Sequence, residues 1–274
     1  MNPTHSIYPV QRKFQIEAFH SCTDPHWEPD FVFSGEVHDY WEMMYVVEGT
    51  VEVTQHDRIY RLSAGELILH APGKFHSVRS ADTSFPHVRI TTFSVQGELP
   101  VLLGEGFFPL PEEDGSTVLA LYRCIGAFVQ DGSSYAGQEC ADRLSAFLVR
   151  LLHHHGACKE VLETPDTRIY RKLASLMQDA LYSNDSMEAI AARMPISTSY
   201  MKVLFHRYAG MAPKQYYSRL RLTEAVRLLQ SGLSASDTAE RMKFSSPNYF
   251  SCFVKKMTGQ PPSAYGKRQD GNGV

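Results

Sequence analysis

The chain has 274 residues, 43% of them hydrophobic and 21% charged, which is ordinary for a globular protein and enough for two domains. Its net charge of −3 hides a division: 11 Lys+Arg stand against 22 Asp+Glu before Pro165, and 16 against 8 from there on. A uniformly basic coat is excluded; the pattern points to a nucleic-acid-binding part joined to a part that avoids DNA.

The five cysteines (Cys22, Cys124, Cys140, Cys158, Cys252) are odd in number and show no CxxC spacing. Neither a disulfide framework nor a zinc ribbon is expected, and thiols in a reducing cytoplasm are. Met1 to Gln15 has no apolar core of the kind a signal peptide needs, and no run reaches membrane-span length. A cytoplasmic protein with no membrane partner is the expectation.

From Phe14 to about Phe93 the sequence favours strands. Phe31–Phe33, Trp41–Val47, Thr50–Val53, Arg58–Leu62, Glu66–Leu69 and His87–Phe93 are rich in β-branched and aromatic residues, with Gly35, Gly49, Gly65 and Pro72-Gly73 between them. Short strands at this spacing predict a small barrel or sandwich. Glu36, His38, Tyr40 and Glu42 have the parity of one strand face, so all four should point the same way.

Gly49 follows Glu42 by seven residues, and Gly65 precedes Ala71-Pro72-Gly73-Lys74-Phe75-His76. This resembles the two cupin motifs, His-x-His-x-x-x-Glu-x6-Gly and a Gly-rich strand ending in Pro-x-Gly-x-x-His. The resemblance covers residues 30–95 and places Glu36 at the first His position, then His38, Glu42 and, from the second motif, His76. Three readings of these residues remain open. They hold a divalent transition metal; they hydrogen-bond an organic effector, with Tyr40 beside them and Trp27, Phe33, Tyr40 or Trp41 as apolar walls; or they line a water-filled interior. The effector pocket, with no cofactor, is the reading adopted, and Glu36, His38, Glu42 and His76 are the metal alternative.

Gly97 to Gly115 reads as an irregular connection. Val118, Tyr122, Ile125 and Val129 have helical spacing, and a second helix from about Tyr135 to His154 carries Leu144, Phe147, Leu148, Leu151 and Leu152 on one stripe. The stripe packs on the barrel or forms a dimer interface. His153-His154-His155 ends that helix; adjacent residues splay around a helix, so favourable charge at its C-terminus explains them better than a metal. Gly156 to Asp166 reads as the linker, giving domains over 1–160 and 166–270.

Thr167 to Tyr182 should form a leading helix. After it the same pattern occurs twice. Ala191-x-Arg193-Met194-x-Ile196-Ser197, Tyr200-Met201-x-x-Leu204-Phe205 and Gly210-x-x-Pro213-x-x-Tyr216 return as Ala239-x-Arg241-Met242-x-Phe244-Ser245, Tyr249-Phe250-x-x-Phe253-Val254 and Gly259-x-x-Pro262-x-x-Tyr265. Each copy reads as helix, short turn, helix. Ser186, Ser197, Ser234 or Ser236, and Ser245 or Ser246 are the caps; Met201, Leu204, Phe205 and Tyr208 form one apolar stripe and Phe250, Phe253, Val254 and Met257 the other. Two such units are helix-turn-helix motifs whose second helices enter the DNA major groove. Pro213 to Gln230 is the stiff helix between them.

As a pair these motifs resemble the DNA-binding domain of AraC/XylS-type transcription regulators, over roughly the last hundred residues. The resemblance implies an α+β protein: an N-terminal cupin-like barrel with two helices, used for effector binding and dimerisation, and an all-α C-terminal domain with two helix-turn-helix units. Outward positions on the first reading helix are Thr198, Ser199, Lys202, Val203 and His206, and on the second Pro247, Asn248, Ser251, Cys252 and Lys255. Family base contacts map onto Ser199, Lys202, Val203, Asn248, Ser251 and Cys252; Arg207, Lys255 and Lys256 are expected on phosphates. Val203 and Cys252 stand where Arg is common and cannot read guanine as an Arg fork does. Pro195 and Lys243 occupy turn positions where the family often has Gly; Pro needs another backbone path there, and Lys is mildly strained.

The expected function is sequence-specific transcription regulation under a small molecule, with a sugar as the preferred class. Partners are double-stranded DNA, the effector, a second copy of the chain and RNA polymerase. Two rivals stand: a metal-dependent cupin enzyme with a DNA-binding tail, and a DNA-binding dimer that needs no effector.

Overall fold

The computed structural model describes residues 10–154, 158, 161–183 and 185–266. Among the described residues nine strands fill the N-terminal half: β1 Phe14–Thr23, β2 Val32–Glu36, β3 Trp41–Glu48, β4 Thr50–Gln55, β5 Arg58–Ser63, β6 Glu66–His70, β7 His76–Ser80, β8 His87–Gly97 and β9 Phe107–Pro109. They form two antiparallel sheets, β1-β8-β3-β6-β9 and β2-β7-β4-β5. β1, β7 and β9 were not among the strands named from the sequence, though β1 and β7 lie within the stretch that favours strands. β7 begins at the residue that ends the second Gly-rich motif, and β9 is a three-residue strand inside the stretch read as irregular.

Side-chain parity assembles the layers. On β3, Met44 and Val46 point between the sheets and meet Val51, Val53, Tyr60, Leu62 and Val78 of the second sheet. Met43 and Tyr45 point the other way, under α1 (Glu112–Asp131) and α2 (Ser134–His154). With both faces covered, six consecutive β3 residues are buried, and strict polar alternation is lost.

The α2 stripe of Leu144, Phe147, Leu148 and Leu151 lies inside this core against the first sheet. Of the two uses expected for that stripe, packing on the barrel is the one it serves. Gly132, in a left-handed conformation, reverses the chain between the helices and brings Cys124 within disulfide distance of Cys140, to which it is bonded. This corrects the expectation of free thiols. Cysteine spacing detects ribbons and frameworks, not a pair joined by a helical hairpin. The run His153-His154-His155 lies only partly within the described residues, as does the linker.

The C-terminal half is helical: α3 Pro165–Asp179, α4 Met187–Ala191, α5 Thr198–Ala209, α6 Pro213–Gln230, α7 Ala235–Arg241 and α8 Pro247–Thr258. The caps fall on expected serines: Ser186, Ser197, Ser234 and Ser246 each accept from a backbone N–H three residues on, at 3.1–3.2 Å. Thr164, beyond that expectation, caps α3 in a reciprocal pair with Thr167. Gly210 and Gly259 end α5 and α8 with positive φ.

Each repeat has its own core. The second, around Ala225, Leu228, Met242, Phe250 and Val254, contains no barrel residue. The first, around Leu173, Ile190, Leu204, Phe205 and Tyr216, includes Ile59 and Phe75 of the barrel half. The first repeat is thus docked on the second sheet. Ser77 Oγ donates to the Tyr208 carbonyl at 2.8 Å, and Arg219 donates to the Gly35 carbonyl. Tyr170 and Tyr216 hydroxyls both donate to the His56 carbonyl, at 3.3 Å each.

Candidate nucleic-acid interface and barrel site

Helices α5 and α8 hold their stripes inward, Met201, Leu204, Phe205 and Tyr208 in one, Phe250 and Val254 in the other. The opposite faces are therefore left to solvent. Thr198, Ser199, Lys202, Val203 and His206 are exposed, as are Pro247, Asn248, Cys252, Lys255 and Lys256; Ser251 is half-buried. Val203, an apolar residue, is 58% exposed, which core packing does not explain. Arg207 is exposed but engaged: its Nη1 lies 3.1 Å from Asp166 Oδ2 at the start of α3, and Tyr200 donates to the same carboxylate at 2.5 Å. A half-exposed ion pair of this kind is worth about 0–1 kcal/mol, small enough to exchange for a phosphate. The first turn runs through Pro195 with Met194 N–H bonded to Ala191 O at 3.0 Å, and Lys243 adopts φ 54° in the second.

In the barrel, Glu36, His38, Glu42 and His76 each present a ligand atom within 4.8 Å of the others. They do not share a strand face, as parity had implied. Glu36 ends β2, His38 and Tyr40 lie in the connection, and Glu42 belongs to β3 of the other sheet. The chain turns between residues 36 and 41, so alternation cannot be counted through it; convergence comes from the two sheets meeting. Tyr40 stacks on the His38 ring at 4.0 Å. Trp41 packs in the core under the helices and is no pocket wall.

Beside these residues lies a cavity of about 120 Å³, lined by Glu36, Glu42, His70 and His76 and walled by Trp27, Phe31 and Phe33. Trp27 and Phe31 stack at 4.4 Å. His70 was missed in the sequence. It pairs with Glu42 across β6 and β3, stacks on His76 at 4.0 Å and is wholly buried. The expected strand stopped at Leu69, one residue short; counting on from Ile68, the parity would have found it.

Burial works against ionising Glu42, but the facing His38, His76 and His70 outweigh it and hold the carboxyl well below the usual range. Burial likewise pushes His76 down, and Glu42 more than reverses this, so its pKa is raised; His70, deepest of the three, is pushed down by burial.

An AraC-like ligand binding domain matches residues 26–152, and a helix-turn-helix domain matches residues 190–268. Together with a capped, duplicated helix-turn-helix and a two-sheet ligand-binding half, these place the chain in the AraC family of DNA-binding transcription regulators, controlled by a small-molecule effector. The chain is similar to the HTH-type transcriptional activator RhaR of Shigella dysenteriae, 28% identical over 253 residues, covering 86% of this chain and 88% of the relative. RhaR of Escherichia coli strain K12 is 26% identical over 249 residues with the same coverage. Among solved structures, ToxT of Vibrio cholerae O395 shares 15% identity with a TM-score of 0.36, covering 93% of this chain and 97% of that one. Among the described residues no helix is long and apolar enough to cross a membrane.

Proposed function

We propose that the effector binds between the sheets at Glu36, His38, Glu42 and His76, and that the second sheet carries its effect to DNA. The observation behind this is a shared wall. On β7, His76 faces the cavity and its neighbour Ser77 holds the Tyr208 carbonyl of α5. On β2, Glu36 lines the cavity and its neighbour Gly35 holds Arg219 of α6. Successive residues of a strand point to opposite faces, so a shift that moves one moves the other. Control requires that the effector bind one seam geometry better than the other. The cavity is smaller than the roughly 300–1,000 Å³ of drug-sized pockets, so a sugar would enter only with movement of the Trp27–Phe31 wall.

In this reading Lys202, Ser199, Val203, His206 and Thr198 read one groove segment, and Asn248, Ser251 and Cys252 the next. Arg207, Lys255 and Lys256 hold phosphates. The protein acts without catalysis, as a homodimer through the outer faces of α1 and α2, where Val129, Tyr135 and Val149 are exposed, and contacts RNA polymerase at its promoters. Footprinting upstream of neighbouring genes tests the DNA reading. Two adjacent protected segments are expected, with Lys202→Ala weakening one and Lys255→Ala the other, and each variant lowering the slope of log affinity against log salt by about 1. Unchanged affinity in both variants would remove α5 and α8 as the reading helices.

A further inference from the structure

We infer that the seam between the barrel and the first repeat carries a second ligand site, beside His56, built for a small zwitterion of the free α-amino acid class. It is separate from the cavity between the sheets and does not rest on the effector reading.

The first argument is the space itself. A cavity of about 240 Å³ opens where the β4–β5 turn, the loop before β7 and the end of α3 meet. Gln55, His56, Asp57, Lys74 and Glu105 line it from the barrel half, and Gln178 lines it from α3. None of these residues lines the cavity at Glu42. The volume is several times the roughly 30 Å³ that one water takes in the liquid, and below the roughly 300–1,000 Å³ of drug-sized pockets. A small metabolite is the size class that fits.

The second argument is what the walls leave unmatched. Gln55 is 6% exposed. Its Nε2 donates to the Gly104 and Leu69 carbonyls, at 2.8 and 3.3 Å, which fixes the orientation of the amide. Its Oε1 is buried and accepts nothing. With the nitrogen committed, the oxygen calls for a donor that the protein does not supply. Both ring nitrogens of His56 are buried and unbonded as well.

The third argument is the backbone. His56 and Asp57 alone join β4 to β5, and His56 takes φ 56°, where a two-residue turn of this kind favours glycine. The residue is held there from both sides. Its N–H donates to the Phe75 carbonyl at 2.9 Å, and its carbonyl receives Tyr170 and Tyr216. Glycine would keep all of these bonds without strain. What glycine would lack is the ring in the cavity, and strain retained by its surroundings is a mark of a functional position.

The fourth argument is charge. At one end Arg58 faces Tyr60, Asp57 and Glu105, two acids against one base. At the other, the charged groups that act on the His56 ring are Lys74 and His76, with no carboxylate among them. The space is therefore negative at one end and positive at the other. A lone anion or a lone cation would meet its own sign at one of them. A molecule with a carboxylate and an ammonium a few bonds apart matches both, the carboxylate on Lys74 and the ammonium on Gln55 Oε1 and the acidic end. Gln178 belongs to α3, and the His56 carbonyl ties α3 and α6 to the barrel, so the ligand would favour the docked arrangement of the halves over a loosened one.

The test uses the full-length protein and the standard free amino acids, screened one at a time by thermal shift and then by calorimetry. At least one should bind at one per chain and raise the melting temperature. Its hydroxy-acid and amine analogues, each lacking one of the two charges, should bind at least about tenfold more weakly. Lys74→Gln should weaken binding about tenfold or more, and Gln178→Ala should weaken it less, while Lys13→Gln, beside β1 of the other sheet, leaves it unchanged. With the amino acid bound, hydrogen exchange should slow at residues 56–58 and at the end of α3. No binding by any standard amino acid at millimolar concentration overturns the inference and leaves a water-filled space. Equal affinity for the hydroxy acid or the amine overturns it too, as does protection confined to the strands around Glu42; these results do not depend on any variant folding.

Discussion

Lys243 carries the clearest local cost in the molecule. At φ 54° its Cβ crowds the following carbonyl, which costs an L-residue about 1–2 kcal/mol and glycine almost nothing. The side chain is exposed, so no packing repays this. Lys243→Gly should therefore stabilise the chain by about 0.5–1 kcal/mol after the added entropy of the unfolded glycine is counted, read as a higher urea midpoint at unchanged slope. A lower midpoint would mean that the lysine makes a contact worth more than its strain. At this same scale Pro195 is resolved differently: its turn closes by the Met194–Ala191 bond and needs no left-handed residue there.

At the scale of elements, two sequence repeats occupy different surroundings. Gly210 and Gly259 both end a reading helix in the left-handed region, and the sequence makes them equivalent. The structure does not. A Cβ at Gly259 would meet open space, whereas at Gly210 it would lie 2.5 Å from the Ser34 backbone of the barrel. Gly259→Ala should cost about 1 kcal/mol of strain alone. Gly210→Ala should cost clearly more and should also loosen the seam, seen as faster hydrogen exchange at Ser34 and Gly35. Equal losses of melting temperature in the two variants would show that the first repeat is not docked on the barrel in solution. The disulfide adds a further element-scale term: closing a 16-residue separation stabilises by about 3 kcal/mol, so reductant should lower the melting temperature and Cys124→Ser/Cys140→Ser should abolish that sensitivity.

Across the whole molecule, the two halves meet at His56. Its ring is buried with neither nitrogen bonded, while its carbonyl receives Tyr170 and Tyr216. Burial, with Lys74 and His76 adding to it, lowers its pKa from 6.5 to about 4. The unfolded chain therefore takes up the proton first as pH falls. The stability from this residue is complete above pH 6.5 and drains away toward pH 4, by about 2 kcal/mol between pH 7 and pH 5. His56→Asn, which tolerates the left-handed φ of 56° there, should flatten that part of the melting curve against pH. Parallel curves for parent and variant would exclude His56 as a source of the acid sensitivity.

The sequence by itself determined what local chemistry enforces. Serine caps, helix-ending glycines and 3.6-residue stripes fixed the duplicated unit and its outward faces, because each signal acts within a few residues of its effect. It also supplied Glu36, His38, Glu42 and His76 through the motif resemblance, while the parity argument for the first three failed, since no single strand carries them. Only the tertiary structure decided that two sheets bring these donors together, that His70 supports them, that Cys124 reaches Cys140, and that the first repeat rests on the barrel through Phe75, Ser77 and Gly35. Many of these contacts join residues far apart in the chain, from 16 positions for the disulfide to 184 for Arg219 and Gly35, and nothing in the periodicity of either partner specifies the other.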